Sequence, residues 1–222
     1  MATKGERGEI LEYLRDLRAN NDREWFEANR IRYEGARASF LGLVGEILSA
    51  FGPVDELGGI DVKACVFRIN RDVRFANDKT PYKSTMSALI GAAGRKSGVR
   101  SYYFHLEPDG ASMLAGGLHS PEPRQLSAVR EAIGRDSRPL KRILGAADFK
   151  RLFGELAGER LKTAPLGYAK DHPDIELLRL KRLLAVHPMS DAFVRGGDIV
   201  GRAIEAFTAM KPFLLWLEKT TS

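Results

Sequence analysis

The chain has 222 residues, of which 44% are hydrophobic and 29% charged, and its formal net charge at pH 7 is +6. This composition excludes a disordered or low-complexity chain, and the single cysteine, Cys65, excludes an intrachain disulfide framework. No apolar run has the length of a signal peptide's core or of a membrane span, so we expect a cytoplasmic protein.

Apolar residues at helical spacing predict a first helix over residues 9 to 19. Asn20 and Asn21 end this helix, and Asn21 followed by Glu24 predicts the N-terminal cap of a second helix. Aromatic and aliphatic side chains from Trp25 to Phe51 form one core-facing stripe, until a Gly-Pro pair stops the pattern. The sequence therefore predicts that this second helix is long.

Four segments rich in apolar residues predict strands, because turn-forming residues separate them. They are Val62 to Ile69, Thr85 to Ala92, Ser101 to Glu107 and Ala111 to Leu118. A Pro-Asp-Gly turn joins the last two, which predicts a hairpin.

Helical patterns return after these strands. The predicted elements are a helix that starts at Ser120-Pro121, short helices near 140–144, 148–153 and 175–182, a further strand at 183–189, and a final helix that Asp198 caps and Pro212 kinks or interrupts. Helices, then a meander of four to five strands, then helices indicate an α+β fold with a central antiparallel sheet. No linker divides the pattern, so we expect a single domain over 1–222.

The segment from Arg68 to Lys83, which reads RINRDVRFANDKTPYK, concentrates positive charge. Eight cations and two aspartates lie between Arg68 and Arg100, and this excess equals the net charge of the whole chain. Arginine donates paired hydrogen bonds to phosphate and carboxylate, and lysine adds a point charge. The sequence predicts a site for an anionic small molecule that bears phosphate or carboxylate. The predicted ligand-binding residues are Arg68, Arg71, Arg74, Lys79 and Lys83.

Two other interpretations of this segment stay open. In the first, Asp72 and Asp78 only neutralise neighbouring cations and hold the loop to the sheet. In the second, the strip from Arg68 to Arg100 binds nucleic acid, with Arg95, Lys96 and Arg100 at a turn between strands.

If the protein is an enzyme, its candidates for proton transfer are Asp72, Tyr82 and His105. An Asp72–His105 pair would supply acid and base groups near neutral pH, if the fold brings the two together. His105 also shares a strand face with Tyr103 and Glu107, so a second interpretation is a hydrogen-bonded strand residue without a catalytic role.

The remaining motifs indicate no catalytic or binding site. His172 and His187 each precede a proline and are interpreted as turn residues.

The glycine-rich run from Gly91 to Ser97 contains P-loop residue types but has strand-like flanks, so we exclude a P-loop. No spacing of His, Cys and carboxylate residues matches a metal motif, which predicts no intrinsic metal site. The sequence names no cofactor.

The basic segment resembles a known family motif. Arg68, Arg71, Asp72, Arg74 and Phe75, followed by Asp78, Lys79 and Tyr82, are similar to the motif of the domain of unknown function 2461 family. Further similarities are Asn20-Asn21, Glu24-Trp25-Phe26, Asn29-Arg30, Tyr102-Tyr103, Lys162, Pro165, Gly167 and His172-Pro173. The resemblance covers most of the chain. It implies a cytoplasmic protein of this architecture, and it implies no activity, substrate or catalytic residue.

Overall fold

A computed structural model describes residues 4–57, 59–74 and 77–222. Phe75, to which the family resemblance also refers, lies outside the described residues. The helices are α1 Lys4–Ala19, α2 Arg23–Ala28, α3 Arg30–Phe51, α4 Val62–Cys65, α5 Pro123–Arg135, α6 Arg138–Gly145, α7 Ala147–Phe153, α8 Ile175–Leu178, α9 Asp191–Gly196 and α10 Ile199–Thr221, with a 3-10 helix at Gly94–Lys96. The strands are β1 Met86–Ile90, β2 Tyr102–Leu106, β3 Ser112–Leu118 and β4 Leu183–Met189.

The four strands form one sheet in the order β1-β2-β3-β4, which is an antiparallel meander. Helices precede the sheet and follow it, so the predicted α+β class is confirmed. Each strand corresponds to a segment that apolar patterning had predicted. Among the described residues, no helix is long and apolar enough to cross a membrane.

By spatial proximity the chain groups into two compact units. Unit 1 comprises the described residues of Met1–Ser97, Tyr103–Leu114 and Pro188–Ile204, and unit 2 comprises Gly98–Tyr102, Ala115–His187 and Glu205–Ser222. The chain thus changes unit inside β2, β3, β4 and α10.

The core of unit 1 contains the apolar stripes of its two longest helices. Leu14 of α1 and Phe40 of α3 are fully buried, and the Phe40 ring lies 5.3 Å from the ring of Phe104 on β2. Such stacking adds to the free energy that burial of the rings contributes. In unit 2, Phe149 of α7 packs edge-to-face against Phe213 of α10, with 5.9 Å between ring centroids.

The predicted long second helix is wrong in one respect, because it is two helices that meet at Asn29. The Asn29 side chain donates a hydrogen bond to the backbone oxygen of Trp25, at 2.9 Å. An asparagine side chain that binds nearby backbone in this way competes with regular helical hydrogen bonds.

The cap of α2 is also different from the predicted one. Asp22, not Asn21, accepts from the backbone N–H of Trp25.

The predicted strand at Val62 to Ile69 is also wrong at its start. Asp61 accepts from the backbone N–H of Lys63 at 3.0 Å and thereby caps the short helix α4. An apolar run of this length fits a buried helix as well as a strand, and the capping aspartate decides between them. After α4 the backbone is extended, and Val66 makes an isolated antiparallel bridge with Ala88 of β1.

Three predictions in the C-terminal part need correction. α5 begins after Glu122, whose backbone N–H donates to the Gln125 side chain in a capping box, so Ser120 is not the cap. α8 ends at Leu178, four residues earlier than predicted. His187 is a β4 residue whose Nδ1 lies 2.9 Å from the backbone oxygen of Leu152, so it is not a turn residue.

The final helix has its predicted cap, since Asp198 accepts from the backbone N–H of Gly201 at 2.8 Å. Pro212 lies inside α10 without interrupting it. Next to this helix, Gly117 of β3 has a φ of 123°, and a Cβ atom there would lie 2.1 Å from the backbone oxygen of Leu183. Only glycine permits this close approach of the two backbones.

Candidate functional site

Backbone pairing at its base closes the basic segment into a loop. The backbone N–H of Arg71 donates to the oxygen of Pro81 at 2.9 Å, and that of Lys83 donates to the oxygen of Ile69 at 2.8 Å. Asn70 and Tyr82 form an antiparallel bridge between these two bonds. Residues that lie far apart along the loop are therefore held together at its base.

Within the loop, each of the two aspartates pairs with one arginine. Asp72 accepts two hydrogen bonds from the Arg74 guanidinium, at 2.9 and 2.6 Å, and these bonds lower the pKa of Asp72. Asp78 accepts from Arg71 and from the backbone and side chain of Thr80, and these bonds lower its pKa to about 2. Arg71 and Arg74 are therefore partly neutralised within the loop.

Beside the base of the loop lies a cavity of about 520 Å³. We call it the cationic cleft. Its lining residues are Tyr33, Arg37, Lys63, Val66, Phe67, Arg68, Ile69, Asn70, Lys83 and Arg95. Five of them are arginine or lysine, and none is a carboxylate. Val66, Phe67 and Ile69 add apolar surface to this lining.

The five cations come from separate parts of unit 1. Arg37 is on α3, Lys63 on α4, Arg95 in the 3-10 helix, and Arg68 and Lys83 at the base of the loop. Arg95 donates to the backbone oxygen of Lys63 at 2.9 Å and also to that of Val66, so it fixes the end of α4. Within the described part of the chain, Arg37 and Arg68 form no ion pair with a carboxylate, although the charge of Arg68 helps to lower the pKa of Asp72.

Lys83 is half-buried in the cleft, and its Nζ lies 5.6 Å from the centroid of the Phe67 ring. A cation at this distance from an aromatic ring is attracted by the negative face of the ring. Burial lowers the pKa of the Lys83 ammonium, and the nearby charges of Arg68 and Arg71 lower it further. The surroundings of Lys83 thus disfavour the protonated form of its amine.

Lys83 also lines a second cavity, of about 350 Å³. Its lining residues are Arg18, Asn21, Arg71, Asp78, Thr80, Tyr82, Lys83, Ser84 and Thr85. Tyr82 is only 6% exposed, and its ring stacks on that of Phe26 with 3.9 Å between centroids. This ring therefore has a packing role in unit 1.

His105 lies in a chain of side-chain hydrogen bonds along β2. Its Nδ1 lies 3.0 Å from the Tyr103 hydroxyl, and its Nε2 lies 2.9 Å from a Glu107 carboxylate oxygen. Glu107 also accepts from Arg18 at 2.9 Å, and Arg18 lines the second cavity. The carboxylate that orients His105 is therefore Glu107, and the expected pairing with Asp72 is replaced by the Asp72–Arg74 pair.

The predicted site residues thus divide into three groups. Arg68 and Lys83 line the cationic cleft, and Arg71, Tyr82 and again Lys83 line the second cavity. The residues that line neither are Asp72, Arg74, Lys79 and His105. Lys79 instead donates to the backbone oxygen of Val73 at 3.0 Å.

Sequence reasoning missed two cations of the cleft, Arg37 and Lys63, and interpreted a third, Arg95, as part of a nucleic-acid strip. Arg37 follows Tyr33 by one helical turn, which places an aromatic and a cation on one face of α3. That spacing was the available signal. Nothing in the local sequence of Lys63 connects it with the basic segment.

The described residues contain no group of three or more His, Cys, Asp or Glu side chains that could hold a metal ion.

Comparison with known proteins identifies the family. The pattern of the family described as conserved hypothetical protein (DUF2461) matches residues 9–216, so the chain belongs to this family. The resemblance in the basic segment is thereby confirmed. No curated protein and no solved structure matches the chain.

Proposed function

We propose that this member of the DUF2461 family binds a small molecule bearing phosphate or carboxylate in the cationic cleft. One observation carries the proposal: every charged side chain that lines the cleft is a cation. In an ordinary surface network each cation would have a nearby carboxylate. Among the described residues, neither Arg37 nor Arg68 forms an ion pair with a carboxylate, although Arg68 is close enough to Asp72 to help lower its pKa, so both guanidinium groups can donate hydrogen bonds to a ligand.

The size and chemistry of the cleft support a small ligand. Its volume of about 520 Å³ lies within the range that small-molecule sites have, roughly 300–1,000 Å³. The planar guanidinium groups of Arg37 and Arg68 suit the oxygens of phosphate or carboxylate. Lys83 adds a point charge, and the Phe67 and Tyr33 rings offer apolar contact to the rest of the ligand.

The proposal is tested by thermal unfolding of the wild type and of Arg68→Ala in the presence of phosphate, pyrophosphate, sugar phosphates and dicarboxylates. A ligand at 100 times its dissociation constant stabilises the folded state by about 2.7 kcal/mol, which raises the melting temperature by roughly 5–10 °C at this size. We expect this rise in the wild type and its loss in Arg68→Ala. Arg74→Ala is the matched control, because Arg74 lines neither cavity. A wild type that no anion stabilises would contradict the proposal.

The nucleic-acid alternative makes a different prediction at Lys96. This residue is exposed in the same 3-10 helix as Arg95 but does not line the cleft. Binding of DNA or RNA through a basic strip would weaken on Lys96→Ala and fall steeply with salt. Binding of a small anion in the cleft leaves Lys96→Ala equal to the wild type. The same protein samples therefore distinguish the two.

If the bound anion is also a substrate, Asp72, Tyr82 and His105 are the candidates for proton transfer. His105 has the best-developed acid-base surroundings of the three, because a carboxylate and a hydroxyl contact its two ring nitrogens. An assay for turnover requires a substrate, so it follows the identification of the bound anion.

A further inference from the structure

Lys83 differs from the other cations of the cleft in its chemistry and its surroundings. A guanidinium stays protonated in proteins, whereas a lysine amine becomes a nucleophile when it loses its proton. Lys63 also lines the cleft, but it is exposed. Lys83 is half-buried, lies above the Phe67 ring, and forms no ion pair with a carboxylate of a described residue.

The groups around Lys83 are almost all cationic. In the cleft these are Arg37 from α3, Lys63 from α4, Arg68 from the loop base and Arg95 from the 3-10 helix, together with the hydroxyl of Tyr33. On the side of the second cavity they are Arg18, Arg71, Tyr82 and the carboxylate of Asp78. That carboxylate already accepts hydrogen bonds from Arg71 and Thr80, and so it does not pair with the ammonium.

Burial and neighbouring cations both disfavour the protonated amine. These two effects lower the pKa of Lys83, with burial the larger, and they increase the fraction of neutral amine near neutral pH. A lysine next to another cationic group in a partly desolvated site is a known arrangement for attack on carbonyl groups. The cleft therefore places an amine of lowered pKa among side chains that suit an anion.

We propose that Lys83 forms an imine with an aldehyde or ketone that carries a phosphate or carboxylate group. The proposal rests on the anion-binding function of the cleft and names its substrate class. The neutral Nζ attacks the carbonyl carbon, and a C–N bond forms as the carbonyl π bond breaks. The carbonyl oxygen then leaves as water with both amine hydrogens, which gives a C=N bond. No oxidant or reductant takes part, and water reverses the reaction.

Reductive trapping tests this proposal directly. The protein is incubated with pyridoxal phosphate, an anionic aldehyde, near neutral pH, and the imine is reduced with borohydride and located by peptide mass spectrometry. We expect Lys83 to be labelled in preference to Lys63, Lys79 and Lys96. We also expect labelling to be about tenfold faster than with pyridoxal, which lacks the phosphate, a preference equivalent to about 1.4 kcal/mol. Excess inorganic phosphate should suppress it.

The outcomes separate this inference from the proposed function. Stabilisation by phosphate without preferential labelling of Lys83 would leave anion binding intact and overturn imine formation. Equal labelling by both aldehydes, without competition by phosphate, would overturn the anionic substrate class and anion binding together. Lys83→Arg removes the amine and keeps a positive charge, so it should lose the label found at position 83 while Lys63, Lys79 and Lys96 stay at their background level. Total labelling by pyridoxal phosphate that is unchanged in a folded Lys83→Arg would overturn the inference.

Discussion

The side-chain amide of Asn21 pairs with both backbone polar groups of Tyr82. Its Nδ2 donates to the Tyr82 oxygen at 2.9 Å, and its Oδ1 accepts from the Tyr82 N–H at 3.1 Å. The pair joins the turn after α1 to the loop base, one residue before Lys83. It therefore helps to position Lys83, which lines both the cationic cleft and the second cavity.

We expect Asn21→Ala to destabilise the fold and to weaken anion binding. Both Tyr82 backbone groups would lose a partner in a partly buried setting, which typically costs about 1–3 kcal/mol for each group left without one. Chemical unfolding measures the loss of stability. Asn20→Ala is the control, because the Asn20 side chain donates to the backbone oxygen of Asp16, at the end of its own helix. Equal stability of the two variants would contradict the anchoring role.

We expect Tyr82 to stabilise the fold mainly through its ring. Tyr82→Phe keeps the stack on Phe26, so its stability should stay close to that of the wild type. Tyr82→Ala removes a buried aromatic ring and should cost about 3–5 kcal/mol. Unfolding in urea gives both values. A large loss in Tyr82→Phe would show instead that the hydroxyl matters to the fold.

The loop should lose a stabilising interaction in acid. The pKa of Asp78 is lowered to about 2 by Arg71 and Thr80, so its pairing contributes stability above its unfolded pKa of about 4. This contribution falls as pH decreases through the window from about 4 to about 2. We expect Asp78→Asn to be less stable than the wild type at neutral pH, and the difference to disappear at the acid end. Asp78 is exposed, so the difference is small.

The comparison requires unfolding curves at several pH values and a control for general acid destabilisation. Asp171→Asn is this control, because Asp171 is an exposed aspartate outside the loop. A difference between wild type and Asp78→Asn that stays constant across the window would contradict the pairing.

His105 should carry its proton on Nε2. The Glu107 carboxylate accepts from that nitrogen, which leaves Nδ1 to accept from the Tyr103 hydroxyl. Nitrogen-15 NMR of the imidazole distinguishes the tautomers. We expect Glu107→Gln to alter the tautomer balance, since an amide offers a donor as well as an acceptor. A neutral wild-type His105 protonated on Nδ1 would contradict the assignment.

Much of the fold followed from periodicity. The stripe that contains Leu14 predicted α1, and alternating or apolar runs predicted the four strands that form the sheet. The predicted elements were wrong where a single polar side chain determines the backbone conformation. Asn29 divides a continuous apolar stripe by binding its own helix backbone, and Asp61 caps a helix in a run that also fits a strand.

The site was only partly predictable. The charge of the basic segment is visible in the sequence, and backbone pairing at the loop base explains why Arg68 and Lys83 line one cleft. Arg37 and Lys63 join them only through tertiary packing of α3 and α4, which no local pattern encodes. The ion pairs of two predicted ligand-binding residues show the same limit, since Arg71 and Arg74 each pair with an aspartate of the loop.

The central claim is that the cationic cleft binds an anion with residues from separate segments, and Arg37 tests it most directly. Calorimetric titration of pyrophosphate into the wild type, Arg37→Ala and Arg23→Ala measures the dissociation constants. Loss of a hydrogen-bonded charged contact of about 1.5–3 kcal/mol should weaken binding by Arg37→Ala roughly tenfold to hundredfold. Arg23→Ala, which removes an exposed arginine outside the cleft, should bind like the wild type. Equal affinity of Arg37→Ala and the wild type would contradict the claim.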